Sequence, residues 1–170
     1  MVDGDTAVFE VQLPTQWKSR IRLRDDRAVA LAAARVGAVA HRVLVSGTVT
    51  MHDYETFGSD GEGTFGFSQE SLVSADGPGT VLLTWQQGFG GEERTEIDIV
   101  GVLNSATGAC QATINVRFYE GASEGTTELE DSRSFVSIVP EGRLANFDLR
   151  LANDEDDWAR VLGSISNSTI

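Results

Sequence analysis

Carboxylates are the residues of this chain whose types and spacing point most directly to chemistry. Asp53, Glu55, Asp60 and Glu62 fall within the stretch His52-Asp53-Tyr54-Glu55-Thr56-Phe57-Gly58-Ser59-Asp60-Gly61-Glu62-Gly63. A second acidic run, Glu120-Gly121-Ala122-Ser123-Glu124-Gly125-Thr126-Thr127-Glu128, and a third, Asn153-Asp154-Glu155-Asp156-Asp157, lie further on. Calcium is held by roughly six to eight oxygens drawn from carboxylates and carbonyls, and glycines let a loop fold around it. If the three runs share one end of the fold, their mutual repulsion destabilises it unless a cation offsets the charge. The candidate ligands are therefore Asp53, Glu55, Asp60, Glu62, Glu120, Glu124, Asp154, Asp156 and Asp157. The same residues also suit solvated surface turns, and their spacing does not follow the EF-hand pattern.

The elements that must position these runs read as strands. Apolar and polar residues alternate with period two through Val43–Met51, Thr95–Val100, Cys110–Phe118 and Phe147–Leu151, so one face of each segment is apolar. Shorter candidates are Val8–Leu13, Ile21–Arg24, Phe65–Ser68, Val81–Gln86, Ser134–Val139 and Trp158–Ser166. Glycine supplies the turns, at Gly88–Gly91, Asp76–Gly79 and Pro140–Gly142. One alanine-rich segment, Asp25–Arg35, opens with acids, ends with arginine and is followed by Gly37, which predicts a short helix. Residues 45–58 also lie on 110–123 with similar patterning, Tyr54 on Tyr119 and Glu55 on Glu120. After a one-residue slip, Val81, Leu83 and Trp85 lie on Phe147, Leu149 and Leu151. The expectation is an all-β antiparallel sandwich of about eight to ten strands in one domain over residues 1–170, an internal duplication, with one short helix.

Composition narrows the partners. Twenty-six acidic residues against thirteen basic ones give a formal net charge of −13. Such a surface repels phosphate backbones and anionic membranes, so neither nucleic acid nor direct lipid binding is expected. No apolar run reaches the roughly 18–20 residues of a membrane helix, and Met1–Asp5 does not read as a signal peptide. Compartment stays unassigned, with an extracellular or surface-associated place favoured if calcium is bound.

Searches for catalysis fail on physical grounds. Gly61-Glu62-Gly63-Thr64-Phe65-Gly66 spells a nucleotide-loop pattern, but Phe65 and Phe67 alternate as a strand where a helix is required. His41 and His52 are eleven positions apart on one strand and its end, so they do not easily meet on one metal. Cys110, the only cysteine, falls on an apolar strand face and reads as a small hydrophobe. Among aromatic residues, Trp85 reads as core, whereas Tyr54 and Tyr119 begin loops and are candidates for exposed rings.

Residues Val49–Gly63 resemble one calcium-binding loop of C2 domains, in which a strand runs into Asp-aromatic-Asp, then an aromatic-containing turn, a further Asp and a glycine. Asp53, Tyr54, Asp60 and Gly63 fit that outline; Glu55 stands where the family has its second aspartate, and Asp60 comes about one residue early. The resemblance covers some fifteen residues and implies a β-sandwich that holds calcium between its loops. The leading expectation is a non-catalytic calcium-binding module acting in binding or assembly through a protein partner or self-association. Two alternatives stand beside it: a self-assembling structural subunit, and a carbohydrate-binding module or acid-pair hydrolase.

Overall fold

The alternating segments pair as two four-stranded antiparallel sheets in a computed structural model that describes residues 39–54, 60–75, 77–153 and 156–170. Eight strands follow in chain order: β1 (Ala40–Asp53), β2 (Gly61–Ser74), β3 (Thr80–Phe89), β4 (Glu93–Leu103), β5 (Cys110–Tyr119), β6 (Leu129–Val139), β7 (Arg143–Ala152) and β8 (Trp158–Thr169). No helix occurs among the described residues. The helix expected over Asp25–Arg35 and the strands expected at Val8–Leu13 and Ile21–Arg24 lie outside them.

The sheets have the orders β2-β1-β8-β7 and β3-β4-β5-β6. Followed around the sandwich, each strand stands beside its sequence neighbours, and β8 returns to pair with β1. Shifting every strand by four turns one sheet order into the other, read backwards, as the expected duplication requires. Short connections reverse direction at every step, so the turns after β1, β3, β5 and β7 all lie at one end. That end carries the described residues of all three acidic runs.

Strand β5 shows why the pairing holds. Cys110, Ala112, Ile114, Val116 and Phe118 all point inward and are fully buried, whereas Gln111 and its alternates face out. Facing them from the other sheet are Val43, Val45, Val49 and Met51 of β1 and Val161 and Ile165 of β8. Burying a side chain of this size stabilises the fold by about 1.5–3 kcal/mol.

One row crosses the whole first sheet: Phe67, Gly47, Gly163 and Phe147 are successive register partners. A Cβ on Gly47 would overlap the Leu162 carbonyl oxygen and the Phe67 ring, and one on Gly163 would overlap the Phe147 ring. The two rings therefore fold over the glycines and meet Trp85 and Phe135 of the opposite sheet, with centroids 5.9 and 6.0 Å apart. Trp85 is core, as its position in the sequence suggests.

Val81 departs from the inward series expected of it. A register shift between Val81 and Leu83 sends both Leu82 and Leu83 inward and leaves Val81 exposed, because a bulge moves one residue across the pleat.

At the end away from the acids, Asn167 ties three segments together. Its amide donates to the carbonyls of Gly108 (2.8 Å) and Val139 (2.9 Å) and pairs with His41 Nδ1 at 2.7 Å.

Candidate metal centre

The inward alternation of four strands does not stop at the last apolar residue. On β1, Met51 is followed two positions later by Asp53; on β5, Phe118 is followed by Glu120. On β4, Glu93 precedes the inward Thr95, and before β8 Asp157 precedes the inward Ala159. Met51, Thr95, Phe118 and Ala159 are all fully buried, so the four carboxylates cap the core at the acidic end. Like charges on neighbouring strands repel. Asp53 and Asp157 come from adjacent strands of one sheet, Glu93 and Glu120 from adjacent strands of the other. The four-strand shift exchanges the strands that carry the two pairs.

Glu93 is the deepest of the four, 1% exposed, with Asp157 at 4% and Asp53 at 9%. Asp53, Glu93 and Asp157 each bring one carboxylate oxygen to within 4.8 Å of the others. Oxygens on a single calcium ion lie at about 2.3–2.6 Å from it, hence up to about 5 Å apart. The spacing therefore fits one ion touching all three.

Local hydrogen bonds aim these groups. Asp157 Oδ1 accepts from the Tyr54 backbone N–H at 2.5 Å, and Asp157 Oδ2 accepts from Asn153 Nδ2 at 2.9 Å. Asn153 Oδ1 in turn accepts from the Asp157 N–H at 2.9 Å, closing a tight loop in which Asp156 takes a left-handed φ of 76°. That turn points Asp156 to solvent and Asp157 inward. Asn153 Nδ2 also donates to Glu120 Oε2. In the β3–β4 turn, Gly90 has a φ of 67°, and a Cβ on it would overlap Asp53 Oδ2. The turn thus keeps open the space that the Asp53 carboxylate fills.

Both Glu93 oxygens are buried without a hydrogen-bond partner. No arginine forms an ion pair with Glu93, Glu120 or Asp157 among the described residues. Burial first, then the charges of Asp157, Asp53 and Glu120, push the Glu93 carboxyl up to about 9. Burial and Asp157 also raise Glu120, to about 7, although the Asn153 hydrogen bond opposes this. The group is a nest of oxygen donors that neutralises itself by holding protons or by holding a positive ion. Its donors contain neither sulfur nor imidazole, so the chemistry suits a hard cation.

The chain matches no protein-family model, and no curated protein or solved structure matches it either.

Of the nine carboxylates singled out in the sequence, Asp53 and Asp157 join Glu93 in the group within 4.8 Å, and Glu120, not in that group, is tied to Asp157 through Asn153. Asp60, Glu62 and Asp156 are exposed and stand apart from the buried group. Glu124 is exposed as well: its side chain lies against Gly88, its N–H donates to the Gly91 carbonyl at 2.9 Å, and Arg94 donates to its own carbonyl at 2.6 Å. It fastens the β5–β6 loop to the β3–β4 turn. Glu55 and Asp154 lie outside the described residues. Of the C2-like stretch, Asp53 reaches the buried group, Asp60 does not, and Gly63 is inside β2 opposite Met51.

Glu93 is not among the sequence candidates because the alternating segment read there, Thr95–Val100, begins two residues after it. The parity of Ile97 and Ile99, extended back to Glu93, was the signal that could have found it.

Other candidates fall to structure. Residues Gly61–Gly66 lie within β2, a strand and not a phosphate loop. Cys110 is buried, and desolvation pushes its thiol up to about 11, which disfavours the thiolate a nucleophile needs. Trp158 does not offer a free sugar platform: His52 stacks on it at 5.4 Å from the β1 side, and the Arg150 guanidinium sits 5.0 Å from its ring centre on the β7 side. Tyr119 is half-buried beneath Arg94, whereas Tyr54 is exposed.

Proposed function

We propose that this protein is a non-catalytic binding or assembly module in which a buried calcium ion, held by Asp53, Glu93 and Asp157, organises one end of the sandwich. The observation that carries this reading is Glu93: a carboxylate almost wholly removed from water, with neither oxygen hydrogen-bonded, aimed among like charges. Such a group costs several kcal/mol unless something positive joins it. Calcium is favoured over zinc because every side-chain donor is an oxygen. A hydrolytic acid pair is disfavoured because the three carboxylates are too enclosed to meet a substrate. Two surface depressions, one over Asn146–Asp148 and Leu162–Gly163, another around Val102–Ala106, lie away from the carboxylates.

Thermal melting with millimolar calcium and with chelator tests this. Calcium at about a hundred times its Kd adds about 2.7 kcal/mol, which for a chain of this size raises the Tm by about 5–11 °C. Identical melting curves in calcium and in chelator would remove the metal from the account.

Self-association is the second reading, favoured by one surface. Val81 and Val136 end one outward row of the second sheet, with Val100 and Thr113 between them, and Val102 and Ile138 flank Gln111 in the next row; all four are exposed, Ile138 at 66%. A second copy packed there would make Ile138→Glu shift the native mass to monomer in light scattering. A monomeric parent at high concentration would end that reading.

A further inference from the structure

We infer that Glu120 is the fourth carboxylate of the cation site, that Asn153 is the positioning residue that holds it there, and that together they make the site select calcium over magnesium. This rests on the calcium reading above and deepens it.

The geometry starts with the Asn153 amide. Its two Nδ2 hydrogens go to two different carboxylates, Glu120 Oε2 on the second sheet and Asp157 Oδ2 on the first, and its Oδ1 is fixed by the Asp157 N–H. The orientation of the amide is therefore settled, because only Nδ2 donates and only Oδ1 accepts. A second side-chain hydrogen bond crosses the sheets just below, from Thr95 Oγ1 to Met51 Sδ at 3.2 Å, but it joins no carboxylates. Asn153 thus draws Glu120 across to Asp157, which is itself one of the three oxygens that lie within reach of a single ion. Glu120 follows the last residue of β5 and is half-buried, so the carboxylate enters from a strand end and not from a free loop.

A second observation points to a ligand there independently of the acidic residues themselves. Glu93, 1% exposed, faces the same space with both oxygens unpartnered.

Selectivity follows from the donor count and burial. Magnesium demands near-ideal octahedral geometry at about 2.0–2.1 Å, keeps several waters and takes one or two carboxylates. Calcium accepts roughly six to eight oxygens in irregular geometry. Four carboxylates brought in from four strand ends, with the core as a floor, leave little space for a retained water shell. Such a cage suits the larger, more readily dehydrated ion. Removing Glu120, or the amide that steers it, takes away the donor that calcium uses and magnesium does not.

Calorimetric titration with calcium and with magnesium, on the full chain and on Glu120→Gln, Asn153→Ala and Glu93→Gln, decides the matter. The parent should bind calcium at least tenfold more tightly than magnesium. Glu120→Gln and Asn153→Ala should each weaken calcium by about 10- to 100-fold, the usual effect of losing a ligand's support, with magnesium unchanged. Metal-free melting separates positioning from plain stability. A merely structural Asn153 would lower the Tm equally with and without calcium and leave the calcium-induced rise intact, and that result would overturn the proposal. Glu120→Gln with parental calcium affinity, while Glu93→Gln loses it, would also overturn the proposal but leave the three-ligand site standing. Failure of the parent to bind calcium at all would sink both.

Discussion

Glutamine at position 93 keeps the shape of glutamate and removes its charge, so Glu93→Gln isolates what the buried carboxylate costs. The ordinary value for this carboxyl is 4.5, and the fold pushes it up to about 9. At pH 7 the metal-free fold therefore holds Glu93 protonated while the unfolded chain has released that proton. The gap of 7 − 4.5 = 2.5 pH units, at about 1.4 kcal/mol per unit, costs the native state about 3 kcal/mol. The sign is fixed by linkage. Because the folded value lies above the unfolded one, native stability is greatest below pH 4.5 and is lost as the pH climbs toward 9. Glutamine carries no such penalty, and its amide can donate to Asp53 or Asp157. In chelator at pH 7 the variant should be more stable than the parent by about 3 kcal/mol, or about 6–12 °C in Tm. That advantage should shrink by about 1.4 kcal/mol per unit of acidification and vanish near pH 4.5. In calcium at about a hundred times the parent's Kd the advantage at pH 7 should shrink by about 2.7 kcal/mol to near zero, since only the parent gains the ion. Urea unfolding at pH 5, 6, 7 and 8, in chelator and in calcium, measures all of this. A variant no more stable than the parent in chelator at pH 7, with a gap that does not move with pH, would refute the claim that Glu93 sits desolvated among like charges.

Calcium binding should displace protons. At pH 7 about one leaves Glu93 and part of another leaves Glu120, so calorimetry in two buffers of different ionisation enthalpy should show uptake by the buffer. Affinity should rise with pH up to about 9, and a proton count of zero would contradict it. Gly90→Ala places a side chain in a left-handed position, at about 1–2 kcal/mol, and its Cβ in the space of the Asp53 carboxylate. Calcium affinity should fall at least about tenfold by titration. Asn167→Ala, at the opposite end, leaves the Gly108 and Val139 carbonyls and the His41 imidazole without their partner. It should cost about 3 kcal/mol in urea unfolding while leaving the calcium-induced shift in Tm unaltered.

Period-two patterning made the strands legible because each side chain's face follows from parity alone. Cys110–Phe118 needed nothing else, and the all-β sandwich followed. Strand ends were less visible. β2 runs from Gly61 to Ser74, well beyond the expected Phe65–Ser68, because its glycines at 61, 63 and 66 hide the alternation while pairing with β1 continues regardless. Val81 was misplaced for a different reason, a bulge that has no signature in alternation. The acidic site was half legible. Abundance drew attention to the loops, yet the residues that converge are those whose parity carries an inward series past its last apolar member: Asp53 after Met51, Glu120 after Phe118, Asp157 before Ala159, Glu93 before Thr95. Asp60 and Asp156 are as acidic but have no such register, and they face water. Counting charges located the end of the molecule; extending parity would have located the site.

Where these four residues sit bears on what an ion would do. The pairs β1–β8 and β4–β5 are the seams along which the first four strands meet the last four. Asp53 and Asp157 flank one seam and Glu93 and Glu120 flank the other, so each half of the chain supplies two carboxylates. In the metal-free protein, like charges at the β1–β8 seam oppose the association of the halves, and the β4–β5 seam is relieved of its repulsion only by the proton that Glu93 holds. A divalent ion converts that repulsion into a shared attachment. Because the unfolded chain holds no such arrangement, binding energy enters directly as folding energy. An ion placed on an outer loop would stiffen only that loop, whereas one placed here acts on the packing of the two halves. Calcium should therefore raise amide protection along β1–β8 and β4–β5 together. Protection confined to the turns next to the carboxylates would show that the ion orders loops and leaves the seams as they were.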